Sequence, residues 1–187
     1  MTCYYTLASL PALSPEGLPH LTWEDFLDRI SSELSQEDQQ FFQTLGALGL
    51  EASLETSDFS RTFVKNYGLV FQFFAWEKDL RLQLAQMRAR DLSWQIDGLE
   101  GDKHYFLEEE LKAVLSVPGP MERERAMDQL RWAILENWGK DEFYTLEALG
   151  LYALKLLIQL KQAKWTEDAG RAELDRCHEA IITRLGD

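Results

Sequence analysis

The sequence predicts an all-α protein, an antiparallel bundle of about seven helices around one long central helix. Hydrophobic residues make up 45% of the 187 residues, and Leu and Glu dominate the longer runs, which favours helix over strand. Residues 69–94 contain neither Gly nor Pro. The length fits a single domain over residues 1–187, which could divide into two lobes, an N-terminal helical hairpin (1–60) and the remainder (61–187).

The long segment 69–94 carries apolar residues on two opposite sides of the helix it predicts. Because successive residues turn by about 100°, two sets of side chains fall on opposite faces. A helix of this kind must be covered on two sides, which explains its central place in the bundle. One face has Leu69, Phe73, Trp76, Leu80, Leu84 and Met87, and the other has Phe71, Ala75, Leu82 and Ala89.

The N-terminal third predicts a short opening element and then two helices. Residues 3–10 are compatible with a strand or a helical turn, and the prolines that follow break regular structure. Thr22 and Ser35 each precede an apolar pattern with helical spacing and an acidic residue three positions later, which is typical of an N-cap. They predict a helix over 23–33 and a second that weakens at Gly46, forming a hairpin.

The connection 49–60 loses the helical pattern, and the remaining helices follow from breakers and caps. Asp97, Gly98 and Gly101 close the long helix. Pro120 suits the first position of a helix, and Thr145 is a third capping residue. These signals predict helices over residues 104–117, 121–138, 146–165 and from Thr166 onward.

The charge of the chain limits its partners. Nineteen Lys and Arg residues against 32 Asp and Glu residues give a formal charge of -13. This charge repels phosphate backbones and anionic lipid headgroups, so we expect no nucleic acid ligand. It would steer a basic partner surface, although acidity also serves simply to keep a protein soluble.

The cysteines and the hydropathy pattern indicate the compartment. Cys3 and Cys177 lie at opposite ends, and the N-terminus has no secretory signal pattern, which predicts reduced thiols in the cytoplasm. The most apolar run, residues 148–160, is shorter than the ~20 residues that span a bilayer, and it contains Lys155. We therefore expect a core helix there and no direct insertion into a membrane.

The sequence contains no recognised catalytic signature, and we expect no cofactor. Its three histidines lie in no nucleophile or protease motif, and no glycine-rich phosphate loop is present. Cys177 and His178 are neighbours that point about 100° apart on a helix, so they cannot share a metal unaided. His104 and Glu108 are four residues apart and could face one ligand, which keeps a small acidic metal-dependent enzyme as an alternative.

Charged residues on two predicted helices indicate an ion-pair network. Glu77 precedes Arg81 by four residues, the favourable order for a pair, and Arg88 flanks the same stripe. Arg123 falls at nearly the angle of the apolar residues of its helix, so its guanidinium needs an acidic partner. One interpretation is an internal Arg and Glu network that ties two helices together. The apolar residues in line with Arg123 are Met127, Leu130, Ile134 and Trp138.

Trp132 and Arg125 point to the side opposite that apolar stripe. Trp and Arg are the side chains that most often anchor protein interfaces. Two interpretations therefore stay open for this side of the helix. It either binds a partner or is buried under a neighbouring helix.

Several segments resemble a small uncharacterised bacterial family encoded among V/A-type ATP synthase genes. The resemblance spans most of the chain, but its motifs are short and contain no catalytic signature. It rests on residues 4–11, the runs 76–81 and 87–90, the segments 123–125 and 128–132, Phe143, and the blocks 146–149 and 152–156.

This resemblance implies a cytoplasmic component or assembly factor of a V/A-type rotary ATPase, peripheral at the inner membrane through the complex. The helical layout is also similar to the C subunit of the central stalk, the protein named d in eukaryotes. That protein has three similar helical units, which 187 residues cannot supply at that size. We expect a protein that is monomeric on its own, holds no catalytic residue and acts by protein-protein contacts. The alternatives are the metal-dependent enzyme and a free-standing helical scaffold.

Overall fold

The computed structural model describes residues 3–51, 61–92, 108–165 and Arg176. Over these residues the chain has eight α-helices and no strand, which confirms the all-α prediction. Short 3₁₀ turns follow α3 and α7, at Gly49–Glu51 and Gly139–Asp141. The helices are α1 (Tyr4–Ser9), α2 (Trp23–Ser31), α3 (Gln36–Leu48), α4 (Arg61–Asn66), α5 (Gly68–Asp91), α6 (Glu108–Ser116), α7 (Pro120–Trp138) and α8 (Leu146–Ala163).

The helix starts predicted after Thr22, Ser35 and Thr145 are correct, because each of these caps forms its hydrogen bond. The Thr22 hydroxyl accepts from the backbone N–H of Asp25, whose carboxylate accepts in turn from the backbone N–H of Thr22. Such a capping box satisfies two N–H groups that a helix N-terminus otherwise leaves open. Thr145 accepts from the N–H of Ala148 in the same way. Ser35 likewise caps α3, and Pro120 is the first residue of α7.

The opening segment, which the sequence left between strand and helix, forms the short helix α1. The backbone N–H of Cys3 donates to the carbonyl oxygen of Tyr144 at 2.7 Å. The hydroxyl and backbone N–H of Thr6 both donate to the Glu33 carboxylate. Six residues are too few for a helix to persist alone, so these contacts with distant parts of the chain hold α1 in place.

The core is centred on α5 and α8. Phe73, Trp76 and Leu80 of the main predicted face of α5 are buried, as expected. On the opposite face Phe71 and Ala89 are buried but Ala75 is exposed, so the second side is covered only in part. Close contact of the two helices requires a residue without a side chain, since a Cβ at Gly150 of α8 would lie 2.5 Å from a methyl group of Val70 in α5. None of the described helices is both long and apolar enough to cross a bilayer.

Aromatic rings connect the predicted α2–α3 hairpin to this core. The rings of Phe41 and Tyr67 stack with centroids 4.5 Å apart, and Phe26 meets Phe42 edge-on at 5.7 Å. The buried Tyr67 hydroxyl donates to the Asp38 carboxylate at 2.8 Å. Burial, together with this hydrogen bond, raises the pKa of the Tyr67 phenol, so it stays a neutral donor. Apolar side chains of α2, α3, α5, α7 and α8 belong to one contiguous cluster.

Substituting Gly46 by Ala tests the packing inside this hairpin. A Cβ at Gly46 of α3 would overlap the indole ring of Trp23 at the start of α2. Alanine favours helix by about 1 kcal/mol over glycine, but a forced overlap costs about 1–3 kcal/mol. We expect Gly46→Ala to lower the free energy of unfolding by about 1–2 kcal/mol in urea titrations. Adding Trp23→Leu removes the overlap, so the higher helix propensity of alanine should then raise the free energy of unfolding. If it does not, overlap with the indole ring is not the cause of the destabilisation by Gly46→Ala.

Several sequence predictions lie outside the described residues. They include the end of the long helix beyond residue 92, most of the 49–60 connection, and the last helix from Thr166. His104, Cys177 and His178 lie outside them too, as does the side chain of Glu108.

Candidate functional site

A buried ion pair joins the long helix to α7. The Arg131 guanidinium of α7 donates to both oxygens of Glu77 in α5, at 2.9 Å from Nε and 2.7 Å from Nη2. Both side chains are buried. Two parallel charge-assisted bonds fix orientation as well as distance. The contact therefore sets how α7 lies against α5.

A second carboxylate extends this network to α8. Asp128 is fully buried and accepts from Arg131 Nη1 at 2.8 Å and from Lys161 Nζ of α8 at 2.8 Å. Burial alone lowers the pKa of Arg131, but hydrogen bonds and attraction from Glu77 and Asp128 outweigh it and raise the pKa above its usual value. The guanidinium stays charged, and the network ties α5, α7 and α8 together.

The predicted residues of α5 lie at the edge of this network. Arg81 Nε lies 3.2 Å from Glu77 Oε1, which is the pair that their spacing predicts, and Arg81 Nη2 donates to the carbonyl oxygen of Leu50 at 2.8 Å. The Arg88 side chain is exposed. The sequence therefore identified Glu77 but not its buried partner Arg131, which lies 54 residues away.

The acidic partner expected for Arg123 is not found among the described residues. Arg123 is half-buried, and its Nη2 donates to the backbone carbonyl oxygen of Val117 at 3.3 Å, whereas no carboxylate of the described residues binds it. The buried face of α7 is centred instead on Asp128, Arg131 and Leu135. Glu77 of α5 pairs with Arg131, and Lys161 of α8 pairs with Asp128. The two charged residues of α7 are therefore buried at positions that the apolar pattern assigned to the surface.

Trp132 is buried, so the interpretation of it as an exposed interface residue is wrong and the alternative of burial is correct. Its side chain is only 2% exposed, and its indole Nε1 donates to Glu136 at 2.9 Å. The Lys155 ammonium of α8 lies 5.4 Å from the ring centroid, within cation–π distance. Arg125 is exposed at a cavity of about 470 Å³, which Gln159 and Trp165 also line.

We give the name aromatic surface to four exposed aromatic side chains. Tyr4, Tyr5 and Tyr144 are linked by ring contacts, and Phe143 directly precedes Tyr144 in the chain. The exposed fractions of Tyr4, Tyr5, Phe143 and Tyr144 are 51%, 79%, 70% and 42%, respectively. The rings of Tyr4 and Tyr144 lie 4.5 Å apart, and those of Tyr4 and Tyr5 lie 5.6 Å apart. Scattered exposed apolar residues are ordinary, but a contiguous group of large ones marks an interaction site.

The backbone holds the aromatic surface in a defined shape. Tyr144 has a φ of 57°, the left-handed region that residues other than glycine rarely adopt. Its carbonyl oxygen accepts the hydrogen bond from Cys3, which joins α1 to the turn before α8. Strained residues of this kind concentrate at functional sites. The sequence signal was two adjacent aromatic pairs beside helix ends, which apolar periodicity did not single out.

Glu147 connects the turn below the aromatic surface to the long helix. Its carboxylate accepts from the backbone N–H of Leu69 at 3.0 Å, at the N-terminus of α5. An acidic group in this place satisfies an open N–H and complements the helix dipole. Burial raises the pKa of Glu147, and the backbone hydrogen bonds from Leu69 and Gly68 only partly counteract this increase.

The raised pKa of Glu147 predicts a pH effect on stability. Because the pKa of Glu147 is higher in the folded chain than in the unfolded chain, the folded chain binds this proton more tightly. Protonation of Glu147 therefore contributes fully to the free energy of unfolding below the unfolded-state pKa. This contribution is lost as the pH rises through the folded-state pKa. Glu147→Gln keeps an acceptor oxygen and removes the titration. We expect the variant to lose less unfolding free energy than the parent between acidic and neutral pH, in urea titrations. The exposed Glu110→Gln is the control; an equal change in both variants would contradict this account.

Metal binding has no support among the described residues. They contain no group of three or more His, Cys, Asp or Glu side chains placed to hold an ion. The pair His104 and Glu108, on which the metal-dependent alternative depends, has its side chains outside the described part of the chain.

The comparisons with known proteins give no family for this chain. No protein-family model, curated protein or solved structure matches it.

Proposed function

We propose that this chain is a non-catalytic component or assembly factor of a V/A-type rotary ATPase that acts by protein-protein contacts through the aromatic surface. The observation that carries the interaction role is the exposure of four aromatic side chains on a helical core, three of which are linked by ring contacts. Aromatic side chains are enriched at the anchoring positions of interfaces.

The helical core and the aromatic surface are each held by specific contacts, which suits rigid docking. The network of Glu77, Arg131, Asp128 and Lys161 fixes three helices, and the hydrogen bond from Cys3 to Tyr144 fixes the turn that carries two of the aromatic rings. A surface that is ordered before binding loses less conformational entropy when the partner arrives. Its rings can therefore contribute most of their burial energy to affinity.

The identity of the partner rests on the resemblance to the family encoded with V/A-type ATP synthase genes. Residues 4–11 and Phe143, two of the matching segments, contribute three of the four aromatic side chains. A place in the central stalk, similar to that of the C subunit, is the position we favour. In that position the chain would stand in for part of that larger protein.

Co-purification from native membranes tests the proposal. A tagged chain should recover the ATPase A, B and D subunits, and the double variant Tyr4→Ser/Phe143→Ser should lose them while keeping its unfolding midpoint. Leu18→Ser is the control, because Leu18 is 75% exposed but lies outside the aromatic surface. Absence of the chain from both the complex and its assembly intermediates would refute the ATPase assignment. Equal recovery by both variants would refute the role of the aromatic surface.

A further inference from the structure

We infer that the partner covers the aromatic surface with a cationic segment, a stretch of protein with Lys or Arg side chains beside apolar ones. This inference rests on the proposed interaction role and adds the chemistry of the partner. Its basis is the charge of the segments that carry or contact the four rings.

Three carboxylates lie on the segments that carry or contact the aromatic surface. Glu33 binds Thr6 of α1, and Asp141 and Glu142 directly precede Phe143. None of these three acids is in an ion pair within the described residues. Within that part of the chain, no Lys or Arg side chain therefore pairs with them.

Two cations on the same elements do not cancel this charge. Arg29 donates to the carbonyl oxygen of Ser9 at the end of α1, and Lys140 donates to the side chain of Asn137. Their hydrogen bonds go to neutral groups rather than to these three acids. Three acids against two bases leave these segments acidic, with the same sign as the whole chain.

Aromatic faces and carboxylates together select a cation with an apolar stem. A Lys or Arg head gains from the electron-rich faces of tyrosine and phenylalanine rings and pairs with a carboxylate, while its methylene groups cover the rings. A membrane surface is the other common ligand of exposed aromatic side chains, but anionic headgroups would be repelled by these carboxylates. The observations therefore favour a basic protein segment over a lipid surface.

Two matched double variants test the inference. Asp141→Asn/Glu142→Gln removes two charges beside the aromatic surface, and Glu109→Gln/Glu110→Gln removes two exposed charges on α6. The probe is a fluorescently labelled amphipathic helical peptide of Leu and Lys, and its matched form has Gln in place of Lys. Binding is followed by anisotropy at low and high salt, and parallel samples contain vesicles of neutral or of anionic phospholipid.

We expect the Lys peptide to bind and the Gln peptide not to bind. The variant beside the aromatic surface should weaken binding about fivefold and reduce its salt dependence, whereas the α6 variant should change it by less than about twofold. Tyr4→Ser/Phe143→Ser should also weaken binding. Equal losses in both charge variants would overturn the inference, since attraction would then follow net charge alone. Equal binding of the Gln peptide, or vesicle binding that requires Tyr4 and Phe143, would also overturn it.

Failure of this inference can be told apart from failure of the proposed function. If ATPase recovery depends on Tyr4 and Phe143 but not on Asp141, Glu142 or salt, the interaction role stands and the cationic partner is refuted. If the Lys peptide binds as described but no ATPase component is recovered, the cationic partner stands and the ATPase assignment is refuted.

Discussion

Glu77→Leu is expected to destabilise the chain by about 3–5 kcal/mol, because it leaves the charge of Arg131 buried with only part of its compensation. Glu77 supplies two of the three described hydrogen bonds of that guanidinium, and Asp128, which supplies the third, also serves Lys161. The unfolding midpoint should fall by about 10 °C or more for a domain of this size. Urea unfolding followed by circular dichroism measures the loss.

Two further variants separate the buried pair from ordinary surface charge. Arg81→Ala removes the exposed partner of Glu77 and should cost no more than about 1 kcal/mol. Glu77→Leu/Arg131→Leu removes the buried pair and leaves Asp128 bound to Lys161, so it should be more stable than Glu77→Leu alone, since well-packed apolar residues often replace such a pair without loss. If Glu77→Leu were as stable as Arg81→Ala, Arg131 would have to bind water or another acid in the variant. The network would then not be what fixes the packing of the helices.

Local signals predicted most of the helical layout. The hydrogen bonds of Thr22, Ser35 and Thr145 form within three residues of each cap, so the sequence contains all that decides them. Pro120 and the apolar spacing of α5 act over equally short ranges. The opening segment could not be assigned in this way, because α1 depends on Glu33 and Tyr144, which are remote in sequence.

The candidate site was predicted less well because it depends on contacts across the fold. Spacing within α5 was enough to identify Glu77 with Arg81, and a pairing of Asp128 with Arg131 could have been predicted from their separation of three residues. The link between Glu77 and Arg131 joins two helices that periodicity treats independently. Their mutual orientation is a tertiary property, so the face of α7 that would be buried did not follow from its own pattern.

The aromatic surface shows the same limit for binding sites. Tyr4 and Tyr144 are remote in sequence, and only the folding of α1 against the turn before α8 brings their rings to 4.5 Å. Spacing within a single helix indicated Trp132 as the exposed aromatic candidate. The fold buries that residue and exposes four others, which moves the expected interface from α7 to the place where α1 meets the turn before α8.

Trp132→Ala is expected to lower the free energy of unfolding by about 3–5 kcal/mol, the usual cost of truncating a buried tryptophan. The side chain is 2% exposed, and its removal also takes away the hydrogen bond to Glu136 and the cation–π contact with Lys155. Thermal and urea unfolding measure the loss. An interface residue would behave in the opposite way, with reduced partner binding at unchanged stability.

Tyr5→Ala is the matched control for Trp132→Ala, since it truncates an aromatic ring that is 79% exposed. It should change stability by no more than about 0.5 kcal/mol, as surface substitutions usually do, while weakening partner recovery. Trp132→Ala measured below its unfolding midpoint should still bind, because it leaves the aromatic surface intact. The opposite result would be loss of binding by a fully folded Trp132→Ala together with full binding by Tyr5→Ala. It would show that α7 binds the partner and would contradict the role of the aromatic surface.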